Sequence, residues 1–232
     1  MDQAETLIQQ LRKSSAADIG KLMSISEALE KLNHARFQAW SAHPLPDQTR
    51  PAVYAFQGDV YQGMEAQNWT AAHRKYAQKN LRILSGLYGL LRPLDSLQPY
   101  RLEMGTKLKT KAGKNLYEFW GTRIRDSINQ LAEAEKSEAI VNLASQEYAR
   151  AAKLGQLSMP VVNPVFKDES NGKYKVISFF AKKARGRMAD WIIRQKLTQP
   201  EQLSQFSEDG YEWQVSESTE LSPVFYRPKQ NQ

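Results

Sequence analysis

A mixed α/β (α+β) fold with helices packed on a mixed sheet is predicted by three features of this chain. Apolar residues recur at helical spacing in several windows, short β-branched and aromatic runs bounded by turn residues lie between them, and an Asn171-Gly172 pair joins two such runs. With 232 residues and no internal repeat, the expectation is one domain over 1–232, long enough to bury a substantial core.

The elements follow in order. Leu7 and Leu11 mark a short first helix. Ser14-Ser15 ends it and caps the next, with Asp18 three residues after Ser15 as the acid of a capping box. Leu22, Ile25, Leu29, Leu32, Phe37 and Trp40 form a stripe predicted to face the core. His43-Pro44-Leu45-Pro46 breaks that pattern, and residues 51–56 read as a buried strand that stops at Gly58-Asp59. A helix from about Thr70 carries Ala72, Tyr76, Leu81 and Leu84 inward. Another, from about Tyr117 to Ala134, aligns Phe119, Ile124, Ile128 and Leu131. Residues 139–143 read as a strand leading into Ser145 and a helix through Gln146, Glu147 and Tyr148. Residues 161–167 and 173–180 flank Asn171-Gly172 as a hairpin, because both central residues of a type I′ turn need positive φ. Ala184, Met188, Trp191 and Ile192 mark a helix over 181–196. Thr198-Gln199-Pro200 starts a short one, and 211–215 pairs with 224–227.

Composition narrows the function. Lys and Arg exceed Asp and Glu by 32 to 25, a formal charge of +7, with pI near 9.4, which suits a polyanionic partner. The absence of cysteine removes disulfides, thiolate nucleophiles, iron–sulfur ligation and cysteine zinc sites. No apolar run approaches the roughly 20 residues that span a bilayer, and the charged N-terminal segment is no signal core. A cytoplasmic protein with no membrane partner is expected.

Two segments carry the functional expectation. In residues 81–105, LRILSGLYGLLRPLDSLQPYRLEMG, the run Ser85-Gly86-Leu87-Tyr88-Gly89 predicts a tight turn whose amides face a phosphate, with Arg92, Tyr100 and Arg101 adding charge and stacking surface. With the helix before it, this reads as a helix–hairpin–helix-like element, although Pro93 stops a second helix early. The alternative is a structural turn with surface arginines. In residues 181–196, AKKARGRMADWIIRQK, the residues Lys182, Lys183, Arg185 and Arg187 crowd the start of a helix, against its dipole, where an anionic partner would sit. The alternative there is a solvated basic face. Catalytic assignments are weaker. Asp59 and Glu147 are candidate carboxylates, and Lys182 a candidate Schiff-base amine in an apolar setting. His34, His43 and His73 are too far apart for a helical metal pair, so no metal and no cofactor are expected. The aromatics of 117–121 read as core.

The strings FQGDVYQG (56–63), the 81–105 segment, LYEFWG (116–121), NLASQEY (142–148) and VISFFAKKARGRMADWII (176–193) together resemble the YaaA family of bacterial peroxide-stress-resistance proteins, in the same order over nearly the whole chain. The resemblance implies a fold particular to the family and a cytoplasmic stress-response role that limits peroxide damage and lowers unincorporated iron. It also implies binding of double-stranded or structured DNA through a basic cleft and a helix–hairpin–helix-like element falling on Ser85 to Arg101. Family members open with an apolar strand and Ser-Pro-Ala-Lys, a segment these residues do not contain, so the expectation is either a misassigned start site or a sheet that lacks one strand and that lysine. An enzymatic alternative is a DNA-repair glycosylase or lyase acting on a damaged base or abasic sugar. The oligomeric state is left open.

Overall fold

A computed structural model describes residues 2–229. In chain order the elements are α1 (Asp2–Leu11), α2 (Ala16–Met23), α3 (Glu27–Ala39), β1 (Arg50–Pro51), α4 (Ala52–Ala55), α5 (Asp59–Met64), α6 (Ala71–Asn80), β2 (Ile83–Ser85), β3 (Gly89–Leu91), β4 (Ser96–Leu97), α7 (Leu116–Trp120), α8 (Arg123–Ala134), β5 (Ile140–Val141), α9 (Gln146–Ala151), β6 (Val161–Val162), β7 (Val165–Ser170), β8 (Lys173–Lys175), α10 (Ser178–Gln195), β9 (Glu212–Trp213) and β10 (Val224–Arg227). The mixed class holds. Among the described residues, however, the strands form one 4-stranded sheet and three 2-stranded ones instead of a single large sheet.

The chain divides into two compact units. The first gathers the stretch ending at Ala55 with Arg82–Asp126 and Gln146–Lys153, and the second gathers Phe56–Leu81, Ser127–Ser145 and the stretch from Leu154 onward. In the first unit the predicted capping box forms. The Ser15 hydroxyl accepts the Asp18 amide at 3.2 Å, and the Asp18 carboxylate accepts the Ser15 amide at 3.2 Å. The Ser15 hydroxyl, ahead of its amide, holds the Asp18 carboxyl below its usual range. Leu7, Ile8, Leu11, Ile19 and Phe37 are buried. The predicted stripe through Leu29 and Leu32 does not hold, since these are 38% and 44% exposed. Ser24 adopts a left-handed conformation (φ 52) that ends α2, so the helical phase is not carried into α3, and Asn33 and Phe37 face inward instead. Arg12 Nε donates to the Phe37 carbonyl at 2.9 Å, a cation at the C-terminal end of α3.

The strand predicted over 51–56 is a correction. Only Arg50 and Pro51 pair with β4, and Ala52–Ala55 turn into one helical turn. Its first amides donate to Asp95 O at 2.8 Å and Pro93 O at 2.9 Å. A short apolar run looks alike in either state. Gly121 (φ +55) likewise splits the helix predicted over 117–134 into α7 and α8.

In the second unit, α10 lies on the 4-stranded sheet, ordered β8-β7-β10-β9, with β7 and β10 parallel and the outer pairs antiparallel. Ala184, Met188 and Trp191 pack with Phe166, Phe206, Tyr211 and Phe225, the ring centroids of Phe166 and Phe225 being 5.5 Å apart. The hairpin forms with Asn171 at φ 55 and Gly172 at φ 71. Its second strand stops at Lys175, because Ile177 is the N-cap of α10 and Phe179 and Phe180 fall in the first helical turn instead of a strand. Thr70 caps α6 by accepting the His73 amide at 3.2 Å, and Ala77 is the buried residue of that helix where Ala72 was expected.

Two polar groups are buried in this core. Asp168 accepts from the Tyr211 hydroxyl at 3.1 Å and from Arg227 Nε at 2.7 Å. Asp190 accepts the Trp69 indole at 2.6 Å and pairs with Arg194 Nε at 3.0 Å. Burial raises both the Tyr211 phenol and the Asp190 carboxyl above their usual values.

Candidate nucleic-acid interface

The Ser85–Gly89 segment is a tight β-hairpin, with Ser85 paired to Gly89 and Ile83 to Leu91. Gly89 takes φ +74, the left-handed residue that closes a three-residue hairpin loop. The amide cradle predicted there does not form at the surface. Ser85, Gly86, Leu87 and Gly89 are buried. The Gly86 carbonyl accepts the Trp120 indole at 3.0 Å. A β-carbon on Gly86 would stand 2.3 Å from the Leu102 carbonyl, and one on Gly89 2.6 Å from the Trp120 ring. The glycines admit neighbouring backbone and indole, leaving no room for a phosphate. Tyr88 and Tyr100 are likewise engaged inside the unit. The Trp40 indole donates to the Tyr88 hydroxyl at 2.9 Å, and the Ser85 and Tyr100 hydroxyls are 2.6 Å apart. Nor is a helix–hairpin–helix made by this stretch, since β3 follows the turn where a second helix was expected. Pro93 fills a β-turn closed by the Asp95 amide on the Arg92 carbonyl at 3.2 Å.

What this unit does expose is a cationic ridge. From Arg101 to Lys109 burial alternates residue by residue. Leu102, Met104, Thr106 and Leu108 are buried, while Arg101, Glu103, Gly105, Lys107 and Lys109 are exposed. A β-turn at Met104-Gly105, closed by the Thr106 amide on the Glu103 carbonyl at 3.1 Å, divides the stretch, and on both sides of it one set of side chains packs while the other collects charge. The backbone is pinned by α9, where the Glu147 carboxylate accepts the Gly105 amide at 2.6 Å. Beside it the Tyr148 phenol is pushed up to about 12, chiefly by burial. Glu147, a candidate catalytic carboxylate, thus holds a backbone amide of this ridge. Beyond Lys109, the Thr110 and Gly113 backbones bond to each other, with Thr110 N to Gly113 O at 2.8 Å, which puts exposed Lys111 at the tip of a tight turn. Exposed Lys114 precedes Asn115, the N-cap of α7. Arg92 and Arg101 are exposed, as expected, and Arg101 is bound to Glu103 at 2.6 Å. Sequence reasoning missed Lys107, Lys109, Lys111 and Lys114. The period-two alternation from Arg101 onward was the available signal, hidden because Gly105 interrupts it and no strand is made.

In the second unit, two glycines bring α5 against α10. A β-carbon on Gly63 would lie 2.3 Å from the Lys183 carbonyl, and one on Gly186 1.9 Å from the Val60 carbonyl. This approach sets Asp59 Oδ2 3.7 Å from Lys182 Nζ, so two of the candidate catalytic residues do meet. The apolar setting expected for Lys182 is not found, as its side chain is 47% exposed. The basic cluster of α10 divides. Lys182 and Lys183 face solvent. Arg185 instead donates to the Ala144 carbonyl at 2.8 Å and to Ala181 O at 3.1 Å, and burial lowers its pKa. Arg187 is held by Glu65 at 3.1 Å and Asp209 at 3.5 Å. These guanidiniums are occupied within the fold, which corrects their expected role as free phosphate contacts.

The family described as peroxide stress protein YaaA matches residues 1–217. This chain belongs to that family. A UPF0246 protein of Aliivibrio fischeri strain MJ11 is 52% identical over 230 residues, covering 99% of this chain and 88% of the relative. A UPF0246 protein of Aliivibrio fischeri strain ATCC 700601 / ES114 is 51% identical over the same shares. Within the 81–105 segment that carried the resemblance, the 85–89 turn is packed against Trp120, and the exposed charge lies at Arg92 and from Arg101 onward. Among the described residues no helix is long and apolar enough to cross a membrane.

Proposed function

We propose that this YaaA-family chain is a cytoplasmic peroxide-stress protein that binds DNA, double-stranded or structured, through exposed lysines and arginines on the ridge of its first unit, with a second basic surface on α10. The observation that carries this reading is the alternation from Arg101 to Lys109. It buries Leu102, Met104 and Leu108 and leaves Lys107, Lys109 and Lys111 outward and, among the described residues, in no ion pair. A row of unpaired cations suits the repeating charge of a phosphodiester chain. Charged groups already satisfied internally, such as Arg185 and Arg187, would contribute little. Lowered unincorporated iron enters this proposal as an outcome in the cell.

The test is a fluorescence-anisotropy titration of a labelled duplex at two salt concentrations, with the full chain and with Lys107→Gln, Lys109→Gln and Lys111→Gln combined. Binding that weakens and loses about 0.9 of salt slope per phosphate contact removed supports the reading. Equal affinity and slope in the two proteins would assign the ridge to solubility alone.

A second reading, lyase chemistry at an abasic site, has the Asp59–Lys182 approach behind it. Asp59 would take a proton from the ammonium, the amine would add to the sugar aldehyde, and Asp59 would return the proton to the carbinolamine hydroxyl, so that water leaves and the iminium forms. Borohydride trapping of an adduct that disappears in Lys182→Gln separates this reading from simple binding.

A further inference from the structure

We infer that the exposed ring of Phe179 is a stacking platform for an unpaired nucleobase, with Lys182 and Lys183 holding the flanking phosphates. This rests on the DNA-binding reading and deepens it by naming a class of substrate, nucleic acid with bases outside a duplex.

Phe179 opens α10 and is 57% exposed, with Phe180 at 38% and Val176 at 59%. So large an apolar side chain in water at a helix start is not demanded by the fold, because the core of this unit is filled by Met188, Trp191, Phe166 and Phe225. The ring is also held in place. Its centroid is 5.5 Å from that of Phe180, at 64°. Phe180 in turn lies against the Arg227 guanidinium at 4.6 Å, and Arg227 is fixed by the buried Asp168 at 2.6 Å. A ring braced through a buried ion pair loses little freedom when a base stacks on it.

The exposed charge around the ring is mostly positive, the nearby carboxylate being Asp59, 3.7 Å from Lys182 Nζ. Lys182 and Lys183 stand three and four positions after Phe179, beside it on the helix surface, and both are exposed. On the adjoining sheet edge, Lys175 is opposite Asp168 and Lys173 opposite Ser170. Directly paired residues share a face, so both lysines stand on the side that carries Arg227. Edge lysines alone would serve only to block strand pairing. Beside a braced, exposed phenyl ring they complete the pairing of aromatic face and cation that single-stranded nucleic acid requires, since every base has a π-face and every linkage a negative charge.

The test uses the full chain with a fluorescein-labelled 20-nucleotide single strand and the matching duplex, read by anisotropy, plus the same strand carrying 2-aminopurine to report stacking. Phe179→Ala should weaken single-strand binding about tenfold, leave duplex binding unchanged and abolish 2-aminopurine quenching, while Phe179→Trp restores the single-strand binding and the quenching. Circular dichroism confirms that each variant is folded. Phe179→Ala without effect on the single strand, or with an equal loss on the duplex, overturns the platform while leaving DNA binding standing. An unsubstituted protein that binds neither DNA sinks the functional reading as well. Vesicles of equal phosphatidylcholine and phosphatidylglycerol form the last arm. Binding to them that needs Phe179, with single-strand binding indifferent to it, reassigns the ring to a lipid surface and overturns the inference.

Discussion

Trp120 donates its indole N–H to the Gly86 carbonyl at 3.0 Å and lays its ring where a β-carbon of Gly89 would stand, 2.6 Å away. The turn that looks most like a ligand-binding loop in the sequence is thereby closed over by the protein itself. Gly89→Ala combines a left-handed backbone (φ +74) with a clash against an indole. We expect a loss of roughly 2–4 kcal/mol in urea unfolding. Gly172→Ala, at φ +71 but with nothing within 4 Å, should cost only about 1 kcal/mol. Equal losses at the two sites would show that the Trp120 contact is not rigid.

Gly186→Ala reverses an ordinary rule. In an exposed helix interior this change stabilises by about 1 kcal/mol, but here the added carbon would meet the Val60 carbonyl at 1.9 Å, a backbone atom that cannot rotate away. The variant should lose about 1–3 kcal/mol. A raised melting temperature would contradict the close approach of α5 and α10.

Arg185 and Lys183 are neighbours in sequence with opposite duties. Arg185→Gln removes charge-assisted hydrogen bonds to Ala144 and Ala181 and should cost about 2 kcal/mol of stability. Lys183→Gln, on the exposed face, should leave the melting curve within about 0.5 kcal/mol and weaken DNA binding. Thermal unfolding and anisotropy on both variants check this.

Asp190 gives a signed pH dependence. Burial, outweighing the Trp69 hydrogen bond and the nearby Arg194 and Arg187, raises its folded pKa above 3.8. The folded state therefore holds the proton more tightly than the unfolded one. The stability this adds is complete below pH 3.8 and is lost as pH rises through the folded value. Asp190→Asn lacks this titration, so the stability of the natural protein relative to the variant should climb as pH falls from neutral towards 4. Denaturant midpoints of both proteins across that range measure it, and a constant difference would exclude the raised pKa.

Signals contained within a few residues were legible in the sequence. Ser15 with Asp18, the Asn171-Gly172 turn and the apolar repeat of Ala184, Met188 and Trp191 each state a local backbone requirement, and each is met. The strand expected over 51–56 failed because burial and hydrophobicity do not distinguish a helical turn from a strand in so short a run. In the candidate interface, the exposure of Arg92, Arg101, Lys182 and Lys183 was legible as charge. The fate of Gly86, Gly89, Arg185 and Arg187 was not.

By itself, the sequence determined the mixed class, the basic balance, the caps and turns, and the kinship with YaaA proteins, all of which depend on residue types and near neighbours. Tertiary structure alone decided which glycines admit a packed indole and which cations stay free. The reason is distance along the chain: Trp120 reaches Gly86 across 34 residues and Glu65 claims Arg187 across 122. Burial and pairing belong to partners that no local pattern names.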